Sequence, residues 1–341
     1  MKRLLNTLYV TTEGAHLRKD GQTVVVEIEG AVRARTPAHL LGVIVCFGQV
    51  TLSPALMGFA AGEGISLAIL SYSGKLQVRV DGPCQGNVLL RRAQHDATRE
   101  SESALPVARA MVAAKLANQR ALLRRALRDY PEAPGAPRID DSQRRLADAA
   151  RRALDAADLD TVRGWEGEGA HAYWSAFPHL IRVEGFEFSG RNRQPPRDPV
   201  NALLSFLYAL AMLDCRAACE SHGLDPQMGF LHRDRPGRMS LALDLVEEFR
   251  APLADRVALS LLNRKQLRPR DFEWQETGAV LLSEAGRRAV LEAWQARKRV
   301  ELRHPILNEK ASLGLFPQIQ AQMLARHLRG ELDVYPAWVW T

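Results

Sequence analysis

The hydrophobic pattern of this chain changes its period once, and that change constrains the fold more than any other feature. Over residues 4–92 apolar residues occur in short, partly alternating runs, which is typical of β-strands. Beyond residue 104 they recur every three to four positions, which is typical of amphipathic helices. Strands followed by a block of helices indicate an α+β chain with segregated domains. We expect a small β-sandwich-like domain at residues 1–95 and a larger all-α domain at residues 104–341.

Local signals place most of the predicted elements. The pair Asp20-Gly21 predicts a hairpin between two strands, and Ser53 followed by Pro54 predicts a capped helix over residues 53–61. The polar stretch 94–103 is the predicted domain boundary. The predicted strands span residues 4–10, 15–19, 22–28, 41–47, 65–70 and 76–80. The predicted helices span residues 107–130, 141–159, 167–177, 199–221, 240–263 and 283–299.

The composition of the chain and the absence of several motifs limit the classes of protein to which it can belong. The formal net charge is +7 and 39 of the 46 basic residues are arginine, which favours an anionic partner. The four cysteines form no CxxC pair, so we expect no disulfide framework or zinc ribbon and a reducing cytoplasm. The chain contains no Gly-rich phosphate loop, HExxH or GxSxG motif. Residues 200–213 form the longest apolar stretch, too short for a membrane span, so no membrane association is expected.

The segment from Arg163 to His171 contains the first candidate ligand. Glu166 stands among glycines just before the predicted helix at 167–177, so we expect it at or before the first helical turn. A carboxylate at that position could bind a cation. It could equally interact with the helix dipole as a capping residue, an explanation that serves for Glu168 as well.

Two further candidate segments lie close together in the sequence. His232 ends the turn Gly-Phe-Leu-His and precedes a basic loop, although a single histidine beside apolar residues is usually structural. Asp244 and Glu247 are three residues apart on a predicted helix and therefore share one face, whereas Glu248 points elsewhere. A buried acid pair requires a cation, a shared proton or a neighbouring arginine. One histidine with carboxylates from two helices would suit Mg²⁺ or Mn²⁺.

Arginines surround these candidates. Residues 109–152 contain 11 basic and 5 acidic residues, which could form a track for DNA phosphates or simply a solvated helix face. The arginines concerned are Arg120, Arg124, Arg125, Arg128, Arg191, Arg193, Arg197, Arg233, Arg235 and Arg238.

The order of several short motifs resembles one family. These are Trp-Glu-Gly at Glu166, Asp-Pro-Val-Asn at Asp198, Gly-Phe-Leu-His at His232 and the segment Ser-Leu-Ala-Leu-Asp-Leu-Val-Glu-Glu-Phe from Ser240, together with Lys-Leu-Ala-Asn-Gln at Lys115 and Gly-Arg-Asn-Arg at Gly190. The chain resembles the CRISPR-associated endonuclease/integrase, the larger subunit of the spacer-acquisition complex, of subtype I-C. The likeness extends from the N-terminal strands to about residue 329.

This resemblance implies a site and a reaction. It implies that Glu166, His232 and Glu247 bind one Mg²⁺ or Mn²⁺ ion and that Asp244 is a supporting acid of the catalytic set; many members have Asp where Glu247 stands. It implies that the 3′-hydroxyl of captured double-stranded DNA, the prespacer, attacks a phosphodiester of a CRISPR repeat. It also implies two kinds of partner. One is a second copy of the chain, bound through the N-terminal domain in a homodimer, and the other is a small bridging subunit.

Two other classes of function remain open from the residues alone. The acids could be salt-bridged in a catalytically inactive DNA-binding scaffold. The protein could instead be a metallohydrolase of a small phosphorylated substrate. Mn²⁺-dependent nicking or strand joining of DNA separates the three.

Overall fold

A β region precedes a helical region in the computed structural model, which describes residues 6–80, 82, 87–192 and 195–340. The predicted α+β class is confirmed. Cys84 and Arg193 lie outside the described residues. The described cysteines Cys46, Cys215 and Cys219 are free and buried, as expected for small core side chains.

Two four-stranded sheets form the β region. One has the order β1-β5-β7-β8, with β8 antiparallel to three parallel strands, and the other has the order β4-β3-β2-β6. The predicted hairpin is confirmed, because β2 and β3 pair antiparallel around Asp20-Gly21. Strand β4 was not predicted. The strands are β1 Asn6–Val10, β2 His16–Asp20, β3 Thr23–Ile28, β4 Ala31–Pro37, β5 Leu41–Phe47, β6 Thr51–Leu52, β7 Ser66–Leu70 and β8 Leu76–Val80.

Two apolar clusters bury the faces of these sheets. Leu17, Ile44 and Leu56 belong to a cluster between the sheets and helix α1 (Pro54–Gly62), whose N-terminus is capped by Ser53 as predicted. Phe47 lies on the opposite side and stacks on Phe206 of the helical region, with ring centroids 5.6 Å apart. The main core is therefore continuous from the first sheet into the helices.

In the part of the chain that the structure describes, nine further helices follow α1, and the first two meet within the polar stretch 94–103. Glu100 lies between them in an extended conformation, and Gln94 in the first of them is buried, with its amide donating to the carbonyls of Asp225 and Met228. The helices are α2 Val88–Arg99, α3 Ser101–Asp129, α4 Ala136–Leu154, α5 Leu159–Ala176, α6 Pro199–Ser221, α7 Ser240–Val246, α8 Arg256–Asn263, α9 Glu284–Lys298 and α10 Phe316–Leu328.

The C-terminal region departs from the predicted pattern in two places. The helix predicted over residues 240–263 is interrupted after α7, and a π-helical segment, Arg250–Asp255, precedes α8. Pro252 lies in that segment and cannot donate an amide hydrogen bond to a regular helix. In addition, two short hairpins accompany the helices: β9 Phe272–Trp274 with β10 Val280–Leu282, and β11 Glu301–Arg303 with β12 Lys310–Ser312.

Helix α6 lies in the centre of the helical region. Among the described residues it is the one helix long and apolar enough to cross a membrane, and 56% of its most apolar window is buried within the protein. Asp198 caps its N-terminus by accepting from the Asn201 amide. A buried core helix of a globular fold has these same properties.

Candidate metal centre

Glu166 lies in the interior of α5, not at its start. The helix begins at Leu159, where Asp158 caps it by accepting from the Thr161 amide. The prediction that Glu166 stands at or before the first helical turn is therefore wrong, because the glycines around it were read as a helix boundary. Gly169 instead lets α5 approach α3, since a Cβ there would meet the Leu116 side chain at 2.2 Å. The Glu166 side chain is 30% exposed.

Asp244 organises the turn that carries His232. Its fully buried carboxylate accepts hydrogen bonds from the backbone amides of Phe230 (2.6 Å), Leu231 (3.0 Å) and His232 (3.0 Å). The same carboxylate lies 2.6 Å from His232 Nδ1. A carboxylate accepts only, so it fixes the tautomer that carries the proton on Nδ1. The other ring nitrogen, Nε2, faces Glu247.

Glu247 completes the predicted set directly after α7. Its carboxylate is 3% exposed, and its Oε1 lies 4.0 Å from His232 Nε2 and 3.1 Å from an Arg250 guanidinium nitrogen. Its Oε2 lies 2.9 Å from Lys115 Nζ, but accepts no hydrogen bond of good geometry within the described part of the chain. This buried oxygen is therefore held by an ion pair with the Lys115 ammonium.

Lys115 connects the two outer acids. Its buried ammonium contacts Glu166 Oε1 as well as Glu247 Oε2. Sequence reasoning quoted this residue only within a motif and gave it no role. The signal was present, because Lys115 is one of only seven lysines and stands in an apolar stretch of α3.

The ionisation of the site follows from these contacts. Burial acts to raise the pKa of Glu247, but the charges of Arg250 and Lys115 outweigh it and hold this pKa well below its usual value. Burial acts to lower the pKa of Lys115, and the carboxylates of Glu247 and Glu166 outweigh that effect and raise it. Both groups are therefore charged at neutral pH.

The donor types suit a hard divalent cation, and a buried ammonium lies between the two carboxylates. Within residues 6–80, 87–192 and 195–340, no three His, Cys, Asp or Glu side chains lie close enough together to hold an ion. However, the carboxylates of Glu166 and Glu247 both contact the Lys115 ammonium, and His232 Nε2 lies 4.0 Å from Glu247 Oε1. An oxygen-rich set with one imidazole suits Mg²⁺ or Mn²⁺.

Glu248 points away from this cluster, as predicted. It is fully buried and accepts from Tyr335 Oη, the Trp338 amide (2.5 Å) and Gln320 Nε2 (3.0 Å). The Asn118 amide, one turn after Lys115 on α3, donates to the Glu248 carbonyl (2.8 Å). These hydrogen bonds hold the C-terminal segment around Tyr335 and Trp338 against the turn that contains Glu247 and Glu248.

Several of the arginines expected to surround the site are paired within the fold. Arg233 binds Asp160, Arg128 contacts Asp129, and Arg120 donates to Gln143. Arg125 lies 3.5 Å from Asp129 at the end of α3. These contacts orient the side chains and leave the surface basic overall, with a formal net charge of +7 for the chain.

Comparison with known proteins gives the family. The family described as CRISPR associated protein Cas1 matches residues 8–296. "CRISPR-associated endonuclease Cas1 2" of Rhodospirillum rubrum is 54% identical over 346 residues, and "CRISPR-associated endonuclease Cas1 1" of Chlorobaculum tepidum is 46% identical over 342 residues. In both comparisons the alignment covers 100% of each chain.

Solved structures share the fold. A Cas1 protein from Thermotoga maritima matches with a TM-score of 0.82 and 22% identity, covering 97% of this chain and 99% of that one. A casposase bound to integration product matches with a TM-score of 0.86 and 21% identity, covering 99% and 95% of the two chains. With a family match over residues 8–296 and full-length relatives at about half identity, this chain belongs to the Cas1 family of CRISPR-associated proteins.

Proposed function

We propose that this protein is a metal-dependent DNA endonuclease and integrase that inserts spacer DNA into a CRISPR array. The observation that carries the proposal is the pair Glu166 and Glu247 on one buried ammonium, with His232 Nε2 4.0 Å from Glu247 Oε1, in a chain of the Cas1 family. Its curated relatives are named CRISPR-associated endonucleases. The casposase of the same fold is bound to an integration product, which supports strand joining as the reaction.

Glu166, His232 and Glu247 would hold one Mg²⁺ or Mn²⁺ ion. Such an ion polarises a phosphoryl oxygen and neutralises the charge that develops during in-line displacement. Asp244 contributes as a catalytic-site acid that positions His232, because it holds Nδ1 and three backbone amides at once. Glu166 and His232 are 30% and 20% exposed, so substrate would approach from their side.

The reaction is a transesterification. The oxygen of a 3′-hydroxyl on the captured DNA forms a bond to a phosphorus of the CRISPR repeat, and the bond from that phosphorus to its original 3′-oxygen breaks. The proton of the attacking hydroxyl is lost as the leaving oxygen gains one, so the number of phosphodiesters is conserved. Lys115 and Arg250, the two cations next to Glu247, would compensate negative charge as the backbone phosphate enters.

The partners follow from the same family membership. We propose double-stranded prespacer and repeat DNA as substrates, a homodimer formed through residues 1–95, and a small bridging subunit. A solved Cas6-RT-Cas1–Cas2 complex supports the last, since this chain matches it with a TM-score of 0.80 and 22% identity, covering 98% of this chain and 36% of that one. Residues 104–341 would form the catalytic domain. We also propose that the protein belongs to subtype I-C and acts in the cytoplasm.

The test is Mn²⁺-dependent nicking and strand joining of branched DNA. We expect Glu166→Gln, His232→Ala and Glu247→Gln each to lower the rate by about 100-fold or more, because each removes a proposed ligand. DNA affinity and unfolding temperature of Glu166→Gln should stay close to those of the unmodified protein. Glu168→Gln is the matched control: it lies in the same helix, exposed and paired with Arg145, and should retain activity.

The outcomes separate the three functions considered above. DNA binding without any cleavage would indicate a scaffold whose acids are only ion-paired, a reading that the Lys115 and Arg250 contacts would then explain. Hydrolysis of small phosphate esters without action on DNA would indicate a metallohydrolase. Undiminished cleavage by Glu166→Gln would refute the site.

A further inference from the structure

A second basic feature lies at the far end of α3. The last turns of α3, the segment after residue 180 and helix α8 enclose a cleft of about 300 Å³. We call it the arginine cleft, after the four arginines that line it: Arg125, Arg182, Arg256 and Arg264. None of them belongs to the candidate metal centre.

The charges in the arginine cleft are poorly balanced. Asp129 is the one acidic residue in its lining, so the formal charge of the lining is +3. Asp129 also divides its interaction between Arg125 and Arg128, at 3.5 Å from each. An anion in this cleft would therefore meet an unneutralised positive field.

Neighbouring arginines act on one another here. Burial lowers the pKa of Arg256, and the charge of Arg125 lowers it further. Behind them, burial and then the charges of Arg256 and Arg125 lower the pKa of Arg297 to about 10. Like charges that a fold holds together with too few internal counter-ions repel each other, and binding of an external anion relieves that repulsion.

The fold holds these side chains in place. Arg182 stacks on Tyr130, with its guanidinium carbon 3.6 Å from the ring centroid. Asn263 accepts from the Arg182 amide (2.8 Å) and donates to the Leu180 carbonyl (2.8 Å), which fixes the segment after residue 180 against α8. Asn263 is therefore already hydrogen-bonded within the fold. The guanidinium groups are the charged donors that line the cleft.

The arginine cleft and the candidate metal centre share two structural elements. Lys115 and Arg125 are ten residues apart on α3, which is about 15 Å along a helix. The π-helical segment Arg250–Asp255 begins at Arg250, which contacts Glu247, and ends directly before Arg256 of the arginine cleft. Successive phosphates of one DNA strand advance about 3.4 Å along the duplex axis, so the spacing corresponds to about four or five base pairs.

We propose that the arginine cleft binds a backbone phosphate of the DNA substrate, away from the phosphodiester that reacts. Guanidinium groups bind phosphate oxygens in pairs, and several of them around one cleft suit a phosphodiester better than a carboxylate. The bound phosphate would set the register of the DNA at the metal centre. This inference rests on the proposed function.

The test is DNA affinity measured against salt concentration, in EDTA so that no cleavage occurs. For the double variant Arg125→Gln/Arg256→Gln we expect the dissociation constant to rise about tenfold or more near 0.15 M salt. The slope of log K against log salt should become shallower by about 0.9, the value for one lost phosphate contact. The control is Arg151→Gln/Arg329→Gln, which removes two exposed, ion-paired arginines and should change neither quantity comparably.

Two further measurements distinguish the outcomes. Arg256→Lys keeps the charge, so it should keep the salt slope while weakening binding less than the double variant. Without DNA, the double variant should unfold at the same or a higher temperature, because repulsion is relieved; a clear decrease would overturn the proposal. Titration with inorganic phosphate tests the other source of the same chemistry. Phosphate binding that the double variant loses while DNA affinity stays unchanged would also overturn it.

The failure of this inference can be told from failure of the proposed function. If the unmodified protein neither binds nor nicks DNA, the proposed function fails and the inference with it. If the unmodified protein nicks DNA and the double variant binds DNA with the same affinity and salt slope, only the arginine cleft assignment fails.

Discussion

A buried lysine between two acids is an unusual neighbour for a divalent cation. Lys115 contacts Glu166 and Glu247, which are the two carboxylates proposed as ligands. A dication and an ammonium cannot both lie between the same carboxylates at contact distance, since they repel each other. Lys115 therefore stabilises the two acids, and an ion bound by both of them, as proposed, would displace the ammonium toward solvent or toward the incoming phosphate.

Lys115→Met tests this competition. Removing the ammonium leaves two acids close together, so we expect the metal-free variant to lose up to about 3–5 kcal/mol of stability toward unfolding. Mn²⁺ should then raise the unfolding temperature of the variant by more than it raises that of the unmodified protein, because no ammonium has to leave. Thermal unfolding with and without Mn²⁺ measures both effects.

A second buried lysine provides the control. Lys298 donates to Asp214 at 2.8–2.9 Å and is nearly as buried, but it lies outside the metal centre. Lys298→Met should also lower stability, and Mn²⁺ should restore none of it. Equal rescue of both variants by Mn²⁺ would contradict a specific role for Lys115.

At the scale of elements, the approach of α5 to α3 determines where Glu166 lies relative to Lys115. Gly169 permits this approach, since a Cβ there would lie 2.2 Å from Leu116 Cδ2 and 3.3 Å from its Cγ. Leu116 is fully buried and follows Lys115 directly. A side chain at Gly169 would therefore separate the two elements that bring the acid and the amine together.

Gly169→Ala and Gly167→Ala form a matched pair in α5. Overpacking should make Gly169→Ala less stable by about 1–3 kcal/mol and should reduce nicking. A Cβ at Gly167 meets nothing within 4 Å, so Gly167→Ala should gain about 0.5–1 kcal/mol from helix propensity. Urea unfolding of both variants measures the contrast. Similar changes in the two would show that helix spacing does not depend on Gly169.

These elements also explain what could be predicted from the sequence. Turn and cap signals act over four or five residues, and so the Asp20-Gly21 hairpin and the Ser53 cap were correctly predicted. The start of α5 was not, because the glycines suggest a break, whereas Gly169 lies inside the helix and packs against Leu116 of α3, which is a tertiary contact. The break near Pro252 had a local signal that the long apolar pattern obscured.

For the candidate site, the sequence identified the residues but not the contacts between them. The types of Glu166, His232, Asp244 and Glu247 and the family motifs singled them out before any fold was known. The role of Asp244 in fixing the His232 turn depends on three backbone amides in space, and the role of Lys115 depends on two helices meeting. Spacing along the chain carries no information about such contacts.

At the scale of the whole molecule, one buried acid joins distant parts of the chain. Glu248 follows α7 and binds Gln320 of α10 together with Tyr335 and Trp338 of the C-terminal segment. Burial raises the pKa of Glu248 to about 7, and the three hydrogen bonds oppose this only in part. Asp255 behaves similarly: burial raises its pKa to about 6, although Tyr208 and Tyr173 donate to it.

These raised pKa values give stability a definite dependence on pH. Between the ordinary pKa of Glu248, 4.5, and about 7, the folded protein binds a proton that the unfolded chain has released. Stability contributed by this group is therefore full below 4.5 and falls as pH rises toward 7. Asp255 adds to the same trend between 3.8 and about 6. Glu247 does not contribute in this window, because its pKa is lowered.

Glu248→Gln removes the larger part of this trend, because an amide of the same shape does not titrate. Relative to the unmodified protein, the variant should become more stable as pH rises from 5 to 8, by at most about 3 kcal/mol at 1.36 kcal/mol for each pKa unit. Urea unfolding of the metal-free protein across that range measures the difference. Glu168→Gln is the control, since Arg145 lowers the pKa of this exposed acid and places its titration below the window. A constant difference between Glu248→Gln and the unmodified protein from pH 5 to 8 would show that Glu248 is ionised throughout, and that the C-terminal segment is fastened by a charged acid.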